Sequence, residues 1–370
     1  MKSPVLRIGV DAREVLGDAT GVGRYLSELL KRWVARQDGS TRHFVLFAPD
    51  RITLPLPPDR AITRVLPARH AGTWWEQSAL RRAVSRERLD LFFAPAYTAP
   101  VRLEIPFALT IHDVSFLAHP EWFKPREGLR RRWLTRHSGR KARVVLTDSV
   151  FSRDEILKHI GVSRDRIRVV PPGLSPRHGA ATPQSHRRER LVLFVGTLLN
   201  RRRLPHLVDA FAVATADLPD ARLAIVGADR TWPPQDLPGL AARLGIANRL
   251  DLRSYVNDTE LAALYARASV FVFLSEYEGF GLTPLEALAA GLPIVVLDTP
   301  VAREVYGPAA TYVPRSADVT DTAWIIRRIL LDKAAAHEQM AVAPGVLARY
   351  SWDVAAASTL DALESCTGRP

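Results

Sequence analysis

The chain has 370 residues, of which 47% are hydrophobic and 24% are charged, and its formal net charge is +12. This length exceeds what one hydrophobic core usually serves, so two domains are expected, and the ordinary composition predicts a globular fold rather than a disordered or fibrous one. The single cysteine, Cys366, excludes an internal disulfide framework and a cysteine-based metal cluster. Because the chain has no long apolar run, we expect no membrane-spanning helix and no signal peptide.

Short apolar strands alternate with amphipathic helices along the first half of the chain. The pattern predicts strands at 5–12, 43–49, 89–95, 106–113, 142–149 and 166–173, and helices near 22–34 and 152–160. The stretch that follows, 175–189, is polar and has no apolar periodicity, so it is interpreted as a linker.

The same alternation then starts again. It predicts strands at 190–197, 221–228, 249–256, 269–275 and 292–298, and helices at 204–215, 258–268 and 283–290. Strands that are apolar throughout are typical of a sheet buried on both faces, and alternating strands and helices predict parallel βαβ units.

The sequence therefore predicts an α/β fold of two tandem doubly wound, Rossmann-like domains that face each other across a cleft. The first domain is expected at 1–174 and the second at 190–345, with a final helix at 346–370 that crosses back to the first domain. Ligands of such sheets bind beyond the carboxyl ends of the strands, so the cleft is the expected site.

Two features of the first half stand at expected strand ends. Gly21 and Gly23 lie where a loop enters a helix, and close glycines let a backbone approach an anionic ligand at a helix N-terminus. His112 follows the strand at 106–113, where an imidazole can bond a substrate hydroxyl or carry a proton. A plain tight turn and a structural histidine are the alternatives.

In the second half, Gly196 and Thr197 end a strand, and an arginine run that includes Arg201 and Arg202 leads into the next helix. Guanidinium groups near a helix start suit a diphosphate. A solvated arginine run with no ligand is the alternative.

The segment 276–296 contains two glutamates, Glu278 and Glu286, separated by a glycine turn and a helix start. A fully helical spacing would separate them by about 12 Å, too far for a hydrolytic carboxylate pair, so two separate roles are expected. A diphosphate is expected on the backbone N–H groups of the turn, with one glutamate on each side binding sugar hydroxyls. The turn residues are Gly279, Phe280, Gly281 and Leu282.

A structural alternative exists for Glu286. Thr283 is a plausible N-cap residue, Pro284 then stands at the first helical position, and Thr283-x-x-Glu286 matches a capping box.

The spacing of Glu278 and Glu286 in YEGFGLTPLEALAAGLPIV resembles the signature of the family 4 glycosyltransferases, which have the GT-B fold and retain anomeric configuration. Further segments resemble that family in the same order: GVDAREVLGDATGVGRYLSELL, TWWEQSAL, TIHDVSFLAHPEWF, TDSVFSRDEI, RIRVVPPG and FVGTLLNRRRLPHLVDAF. The resemblance covers nearly the whole chain and is strongest to a bacterial mannosyltransferase-like branch that acts on polysaccharide or lipid-linked acceptors.

The resemblance implies roles for particular residues. Glu278 would contact the transferred sugar near the reacting carbon, Glu286 would bind the ribose, and His112 would touch the sugar. Arg202 would hold the diphosphate, which Gly21 and Gly23 would border.

The chain departs from the family pattern beside the diphosphate. Arg202 replaces the usual lysine, Leu199–Asn200 replaces a frequent Glu-Pro pair, and Thr197 stands where relatives often have a second arginine. These changes alter the reach and geometry of the phosphate contacts.

The expected activity is transfer of a sugar, mannose as the first choice, from a nucleoside diphosphate to a saccharide or lipid-linked saccharide in the cytoplasm. No Asp-x-Asp motif occurs, so neither a metal nor another cofactor is expected. A nucleotide-sugar epimerase or a phosphorylase on the same fold remains an alternative.

Charge distribution adds a second expectation. Residues 1–180 carry 32 Lys and Arg against 18 Asp and Glu, whereas residues 181–370 carry a net charge of −2. Nucleic acid is one possible anionic partner, but it would leave the strand-end residues without a role, so no nucleic acid is expected. Genomic bias toward arginine is another explanation.

The basic segment 123–143 also contains Leu129 and Trp133, which are four residues apart and would share a helical face, and Trp74 and Trp75 lie in the same half. This pattern is typical of peripheral contact with an anionic membrane at its inner face. Packing of the apolar stripe on the domain core is the alternative.

Overall fold

Each half of the chain forms its own parallel sheet in the computed structural model, which describes residues 5–16, 21–36, 42–69, 72–174 and 188–368. Unit 1 comprises Met1–Ala118, Pro125–Gly173 and Ser351–Pro370, and unit 2 comprises His119–Lys124 and Leu174–Tyr350. The predicted fold class, two doubly wound α/β units, is confirmed. The predicted linker at 175–189 lies, apart from its last two residues, outside the described residues.

Unit 1 contains a seven-stranded sheet with the order β3-β2-β1-β4-β5-β6-β7, in which all neighbouring strands are parallel. The strands are β1 (Leu6–Asp11), β2 (Arg42–Ala48), β3 (Ala61–Val65), β4 (Leu91–Ala94), β5 (Phe107–Thr110), β6 (Val144–Thr147) and β7 (Ile167–Val169). The helices are α1 (Gly21–Ala35), α2 (Thr73–Trp75), α3 (Arg81–Arg86), α4 (Ser115–Ala118), α5 (Pro125–Lys141), α6 (Val150–Ile160) and, at the end of the chain, α14 (Trp352–Ser365).

Helices α1 and α14 form one wall of the core of unit 1. The buried residues of α1 include Leu26, Leu29, Leu30 and Trp33, whose spacing puts them on one face of a helix. The indole Nε1 of Trp33 donates a hydrogen bond to the backbone carbonyl of Ala356 in α14 at 2.9 Å. Burial of this face against α14 and the sheet therefore ties the C-terminal helix to the first unit.

Unit 2 contains a six-stranded parallel sheet with the order β10-β9-β8-β11-β12-β13. The strands are β8 (Leu191–Val195), β9 (Arg222–Val226), β10 (Leu250–Arg253), β11 (Val270–Phe273), β12 (Ile294–Leu297) and β13 (Thr311–Val313). The helices are α7 (Leu204–Ala214), α8 (Leu237–Arg243), α9 (Asp258–Arg267), α10 (Leu282–Ala289), α11 (Pro300–Tyr306), α12 (Val319–Leu331) and α13 (Lys333–Leu347).

The strand order places a topological switch point in each sheet. In unit 1, β1 lies between β2 and β4, and in unit 2, β8 lies between β9 and β11. The chain leaves the two central strands in opposite directions at such a point, which opens a crevice beyond their carboxyl ends. The loops after β8 and β11 therefore begin side by side in unit 2.

No described helix combines the length and the apolar character that crossing a bilayer requires.

Candidate functional site

The loop after β8 begins with a glycine that the backbone geometry requires. Gly196 has φ +148°, a region that residues with a side chain rarely adopt. A short 3-10 turn, Asn200–Arg202, follows, and Arg203 in the left-handed conformation is the N-cap residue of α7. This path brings Arg202 back over the strand end, where its Nη1 lies 3.8 Å from an ideal Cβ placed on Gly196. Thr197 is exposed beside it.

The loop after β11 is bonded directly to this arginine turn. The backbone N–H of Glu276 donates to the carbonyl of Arg201 at 2.9 Å, and the Glu276 Oε1 atom lies 3.6 Å from Nε of Arg203. These contacts join the two loops at the switch point of unit 2, as adjacent parallel strand ends allow.

Glu278 and two arginines form a compact charged group at this junction. The Oε1 atom of Glu278 lies 3.0 Å from Nη1 of Arg202 and 3.9 Å from Nε of Arg201, and it accepts a hydrogen bond of 2.5 Å from the Ser275 hydroxyl. The three charged side chains are only 11 to 12% exposed. Arg202 also lies over the ring of Phe273, with its guanidinium carbon 4.4 Å from the ring centroid.

This arrangement has two chemical consequences. Charges that are largely removed from water interact more strongly than charges at an exposed surface. A diphosphate that binds the guanidinium groups must compete with Glu278 for the same donors, and displacement of the carboxylate would free it to accept hydrogen bonds from a sugar.

The glycine turn leads from Glu278 into α10. Gly281 has φ +92° and is itself the N-cap residue, so α10 begins at Leu282. Gly279 and Phe280 are buried, and the Phe280 ring meets that of Tyr350 edge to face with centroids 5.1 Å apart. The first turn of α10 leaves backbone N–H groups without partners inside the helix, which is the arrangement that favours an anion.

The structural alternative, a capping box formed by Thr283 and Glu286, is wrong. Because α10 begins at Leu282, Thr283 and Pro284 are its second and third residues and Glu286 is its fifth. The left-handed turn at Gly281 starts the helix earlier than a threonine cap would. Glu286 is therefore not a capping residue. It is 91% buried, and its contact with the ribose remains a prediction.

In unit 1, His112 follows β5 and bonds through both ring nitrogens. Nδ1 lies 2.8 Å from Oδ2 of Asp148, which follows the neighbouring strand β6, and Nε2 lies 3.1 Å from the carbonyl oxygen of Pro95. A carboxylate and a carbonyl both accept hydrogen bonds, so only the doubly protonated imidazolium satisfies both. In this arrangement His112 donates protons but has no nitrogen ready to accept one.

The charge environment favours this imidazolium. Burial alone would lower the pKa of His112, but the charge and hydrogen bond of Asp148, the charge of Asp113 and the Pro95 carbonyl together outweigh it, and the pKa lies above its usual value. The predicted contact of His112 with a sugar hydroxyl remains a prediction, and it would require Nε2 to exchange the Pro95 carbonyl for the sugar.

Gly21 and Gly23 lie in the first turn of α1. Gly23 is buried, whereas an ideal Cβ on Gly21 meets no atom within 4 Å among the described residues. Packing against the described residues therefore does not require glycine at position 21, and the expected approach of a diphosphate to it remains a prediction.

Three residues that contact candidate residues were not themselves among the candidates from sequence. Asp148 holds His112, Ser275 holds Glu278, and the hydroxyl of Tyr306 donates to the carbonyl of Gly281 at 2.9 Å. For Asp148 and Ser275 a signal exists, since Asp148 directly follows β6 and Ser275 comes two residues after β11. Tyr306 gives no such signal, because its contact depends on how α11 packs.

Among the described residues, no group of three His, Cys, Asp or Glu side chains is arranged to hold a metal ion.

Family models match two consecutive parts of the chain. The Glycosyltransferase Family 4 model matches residues 19–178, and the model of glycosyl transferases group 1 matches residues 181–343. Together they cover most of both units.

Several named proteins share moderate sequence similarity with this chain. The chain is 29% identical to the O-antigen chain mannosyltransferase B of Escherichia coli over 74% of this chain and 73% of that protein. It is 30% identical to the MMP alpha-(1->4)-mannosyltransferase of Mycolicibacterium hassiacum over 62% of this chain, and the match spans only 57% of that protein. Among solved structures, the sucrose-phosphate synthase of Thermosynechococcus elongatus superposes with a TM-score of 0.76 at 19% identity, covering 98% of this chain and 99% of that one. This likeness shows a shared fold.

Proposed function

We propose that this chain, which belongs to the family 4 glycosyltransferases, transfers a sugar from a nucleoside diphosphate to a hydroxyl of a saccharide or lipid-linked saccharide. The observation that carries the proposal is the group of Glu278, Arg201 and Arg202 at the switch point of unit 2, beside the glycine turn that starts α10. Cations and backbone N–H groups suit a diphosphate, and the carboxylate suits the hydroxyls of the attached sugar.

Mannose is the sugar we propose first, with retention of anomeric configuration. The names of two similar proteins, both mannosyltransferases, support the choice of sugar. Retention rests on the resemblance of the Glu278 and Glu286 spacing to the retaining family 4 signature.

The proposed reaction is a front-face substitution. The bond between the anomeric carbon and the diphosphate oxygen breaks, the acceptor oxygen bonds to that carbon on the same face, and the acceptor proton passes to the departing diphosphate. Negative charge grows on the diphosphate in this transition state, and Arg201, Arg202 and the N–H groups of the turn would stabilise it.

A panel of nucleoside diphosphates and nucleotide sugars would test the proposal. A ligand that binds the folded state raises the melting temperature by an amount that grows with the ratio of its concentration to its Kd, and the best ligand is then tried as a donor with saccharide acceptors. Conversion of the donor sugar without an acceptor would indicate an epimerase, and a requirement for inorganic phosphate would indicate a phosphorylase. Absence of any binding would contradict all three.

Arg202→Ala is expected to weaken binding of the nucleoside diphosphate by about tenfold or more, while binding of the nucleoside stays close to that of the wild type. The reason is that a charge-assisted bond to phosphate contributes roughly 1.5–3 kcal/mol, and the nucleoside makes no such bond. Competition binding with both ligands measures the two affinities. Equal losses for nucleoside and diphosphate would contradict the phosphate role of Arg202.

We also propose peripheral contact of unit 1 with an anionic membrane through α5. Leu129 and Trp133 are 65% and 57% exposed, so the alternative that the stripe packs on the core does not apply to them, although it fits the buried Leu134. They line a surface groove of about 370 Å³, and the other residues of the groove are Arg132, Arg136, His137, Arg140 and Lys141.

Some arginines of α5 have structural partners. Nε of Arg136 donates to the carbonyl of His159 at 3.1 Å, and Nε of Arg140 donates to the carbonyl of Ile160 at 2.8 Å, so both bond the C-terminal end of α6. Their charge still faces the groove and adds to the attraction for phosphate headgroups, about 1 kcal/mol for each basic residue near an anionic leaflet.

Sedimentation with vesicles tests this surface. The full chain is expected to pellet with phosphatidylglycerol vesicles at low salt and to be released at high salt, because screening weakens the attraction. Replacing Leu129 and Trp133 together by alanine should lower vesicle affinity roughly tenfold, since their apolar surface would no longer be buried. Trp324→Ala is the matched control, because Trp324 is a tryptophan of unit 2 that is 62% exposed. Equal pelleting with neutral vesicles, or equal losses in both variants, would contradict the proposal.

A further inference from the structure

Tyr306, the last residue of α11, lies directly against the glycine turn. Its side chain is buried, and its hydroxyl donates to the carbonyl oxygen of Gly281 at 2.9 Å and lies 3.5 Å from that of Phe280. One hydroxyl thus approaches two consecutive carbonyl oxygens at the start of α10.

The fit between tyrosine and turn is close. An ideal Cβ on Gly281 would lie 2.1 Å from the Tyr306 hydroxyl oxygen, so that oxygen occupies the space that any side chain at position 281 would take. Tyr306 also lines a cavity of about 10 Å³ together with Ser275, Glu278 and Phe280. The same side chain therefore contacts both the turn and the surroundings of the carboxylate.

The hydroxyl remains a proton donor under all ordinary conditions. Burial raises the pKa of Tyr306 well above its usual value, and the negative charge of Glu278 raises it further. Its hydrogen bond to Gly281 is consequently independent of pH in the range in which enzymes work.

Because a peptide group is planar, the hydrogen bond from Tyr306 to the Gly281 carbonyl also determines where the Leu282 N–H points. The carbonyl of Gly281 and the N–H of Leu282 belong to one planar trans peptide, in which C=O and N–H point in opposite directions. A hydroxyl that holds the carbonyl on the α11 side directs the Leu282 N–H away from α11. That N–H is the first of α10 and has no acceptor within the helix.

We propose that Tyr306 is a positioning residue that fixes the peptide between Gly281 and Leu282 so that its N–H points at the donor diphosphate. This inference rests on the proposed function of the same site, and it assigns to a residue outside the family signature a share in diphosphate affinity. Without the hydroxyl this peptide loses one of the contacts that fix its orientation, and the N–H is held toward the phosphate less firmly.

A second tyrosine of unit 2 provides a matched control. Tyr312 also donates its hydroxyl to a backbone carbonyl, that of Gly307, at 2.7 Å. Its hydroxyl also lies 3.3 Å from the carbonyl oxygen of Ala302 in α11. Both carbonyls lie outside the glycine turn, so Tyr312→Phe removes bonds of the same kind and keeps the bond between Tyr306 and Gly281.

The experiment compares Tyr306→Phe and Tyr312→Phe with the wild type in binding of a nucleoside diphosphate and of the corresponding nucleoside. We expect Tyr306→Phe to weaken diphosphate binding about three- to tenfold, the range for one hydrogen bond, and to leave nucleoside binding unchanged. Tyr312→Phe is expected to leave both affinities unchanged. Unchanged nucleoside binding also shows that the variants are folded.

Two results would overturn the inference and distinguish it from the proposed function. If the wild type binds the diphosphate and transfers sugar, but Tyr306→Phe binds the diphosphate as tightly as Tyr312→Phe does, Tyr306 has no positioning role. If Tyr306→Phe weakens nucleoside and diphosphate by the same factor, its role is general stability. A wild type that binds no diphosphate would contradict the proposed function itself, and this inference with it.

Discussion

Glu278→Gln is expected to reduce sugar transfer by a factor of about 100 or more, while affinity for the nucleoside diphosphate stays equal to or rises above that of the wild type. The loss is expected because an amide is neutral and cannot stabilise positive charge that develops on the sugar in the transition state. The diphosphate prediction follows from the contact of Glu278 with Arg202 at 3.0 Å. Removing the carboxylate removes the group that competes with phosphate for that guanidinium.

Glu276→Gln provides the control for this variant. Glu276 lies two residues earlier in the same loop, is 3.6 Å from Arg203 and has a side chain that is 37% exposed. The Glu278 side chain is 12% exposed and lies 3.0 Å from Arg202. We expect this control to retain transfer near the wild-type rate. Steady-state transfer and equilibrium binding of the diphosphate measure the two effects. Near wild-type transfer by Glu278→Gln would remove Glu278 from the mechanism, and weaker diphosphate binding would show that its carboxylate supports the arginines rather than competing with phosphate.

Most of the strands that sequence predicted are buried on both faces, although the predicted edge strands β7 and β10 are only partly buried. The strand predicted at 269–275 contains β11 (Val270–Phe273), whose four residues are all buried, and such runs are easily recognised. Two edge strands, β3 and β13, were not predicted. In β3 only the first of the five residues is buried, and β13 has three residues, so neither carries the apolar run that marks a central strand.

Site residues were predictable where a strand end or a glycine marks them. Glu278, Arg202 and Gly281 are such residues, and the structure brings them together in unit 2. Sequence does not give the order of strands in a sheet, so the pairing of His112 with Asp148, which joins the ends of β5 and β6, required the fold. The start of α10 was placed wrongly because a threonine followed three residues later by glutamate is a common cap pattern, and the left-handed glycine that replaces it is visible only in the backbone.

Gly281→Ala tests the turn itself and is expected to have the largest effect on stability. The added Cβ would lie 2.1 Å from the Tyr306 hydroxyl oxygen, and φ at this position is +92°, which an L side chain adopts only with strain. Either the turn or Tyr306 must move, so diphosphate binding should fall at least about tenfold, as expected when hydrogen bonds to a charged group are lost. The melting temperature should fall by several degrees, since a domain of this size loses roughly 2–4 °C for each kcal/mol.

Two further variants separate strain from collision in this prediction. Gly245 also has positive φ, +69°, but an ideal Cβ there meets no atom within 4 Å among the described residues, so Gly245→Ala measures the backbone strain alone. That strain costs about 1–2 kcal/mol. Combining Gly281→Ala with Tyr306→Phe removes the oxygen that the new Cβ would meet, so the double variant should melt above Gly281→Ala. Equal melting temperatures of Gly281→Ala and Gly245→Ala, with no recovery in the double variant, would show that the turn accommodates a side chain and that the contact with Tyr306 does not constrain it.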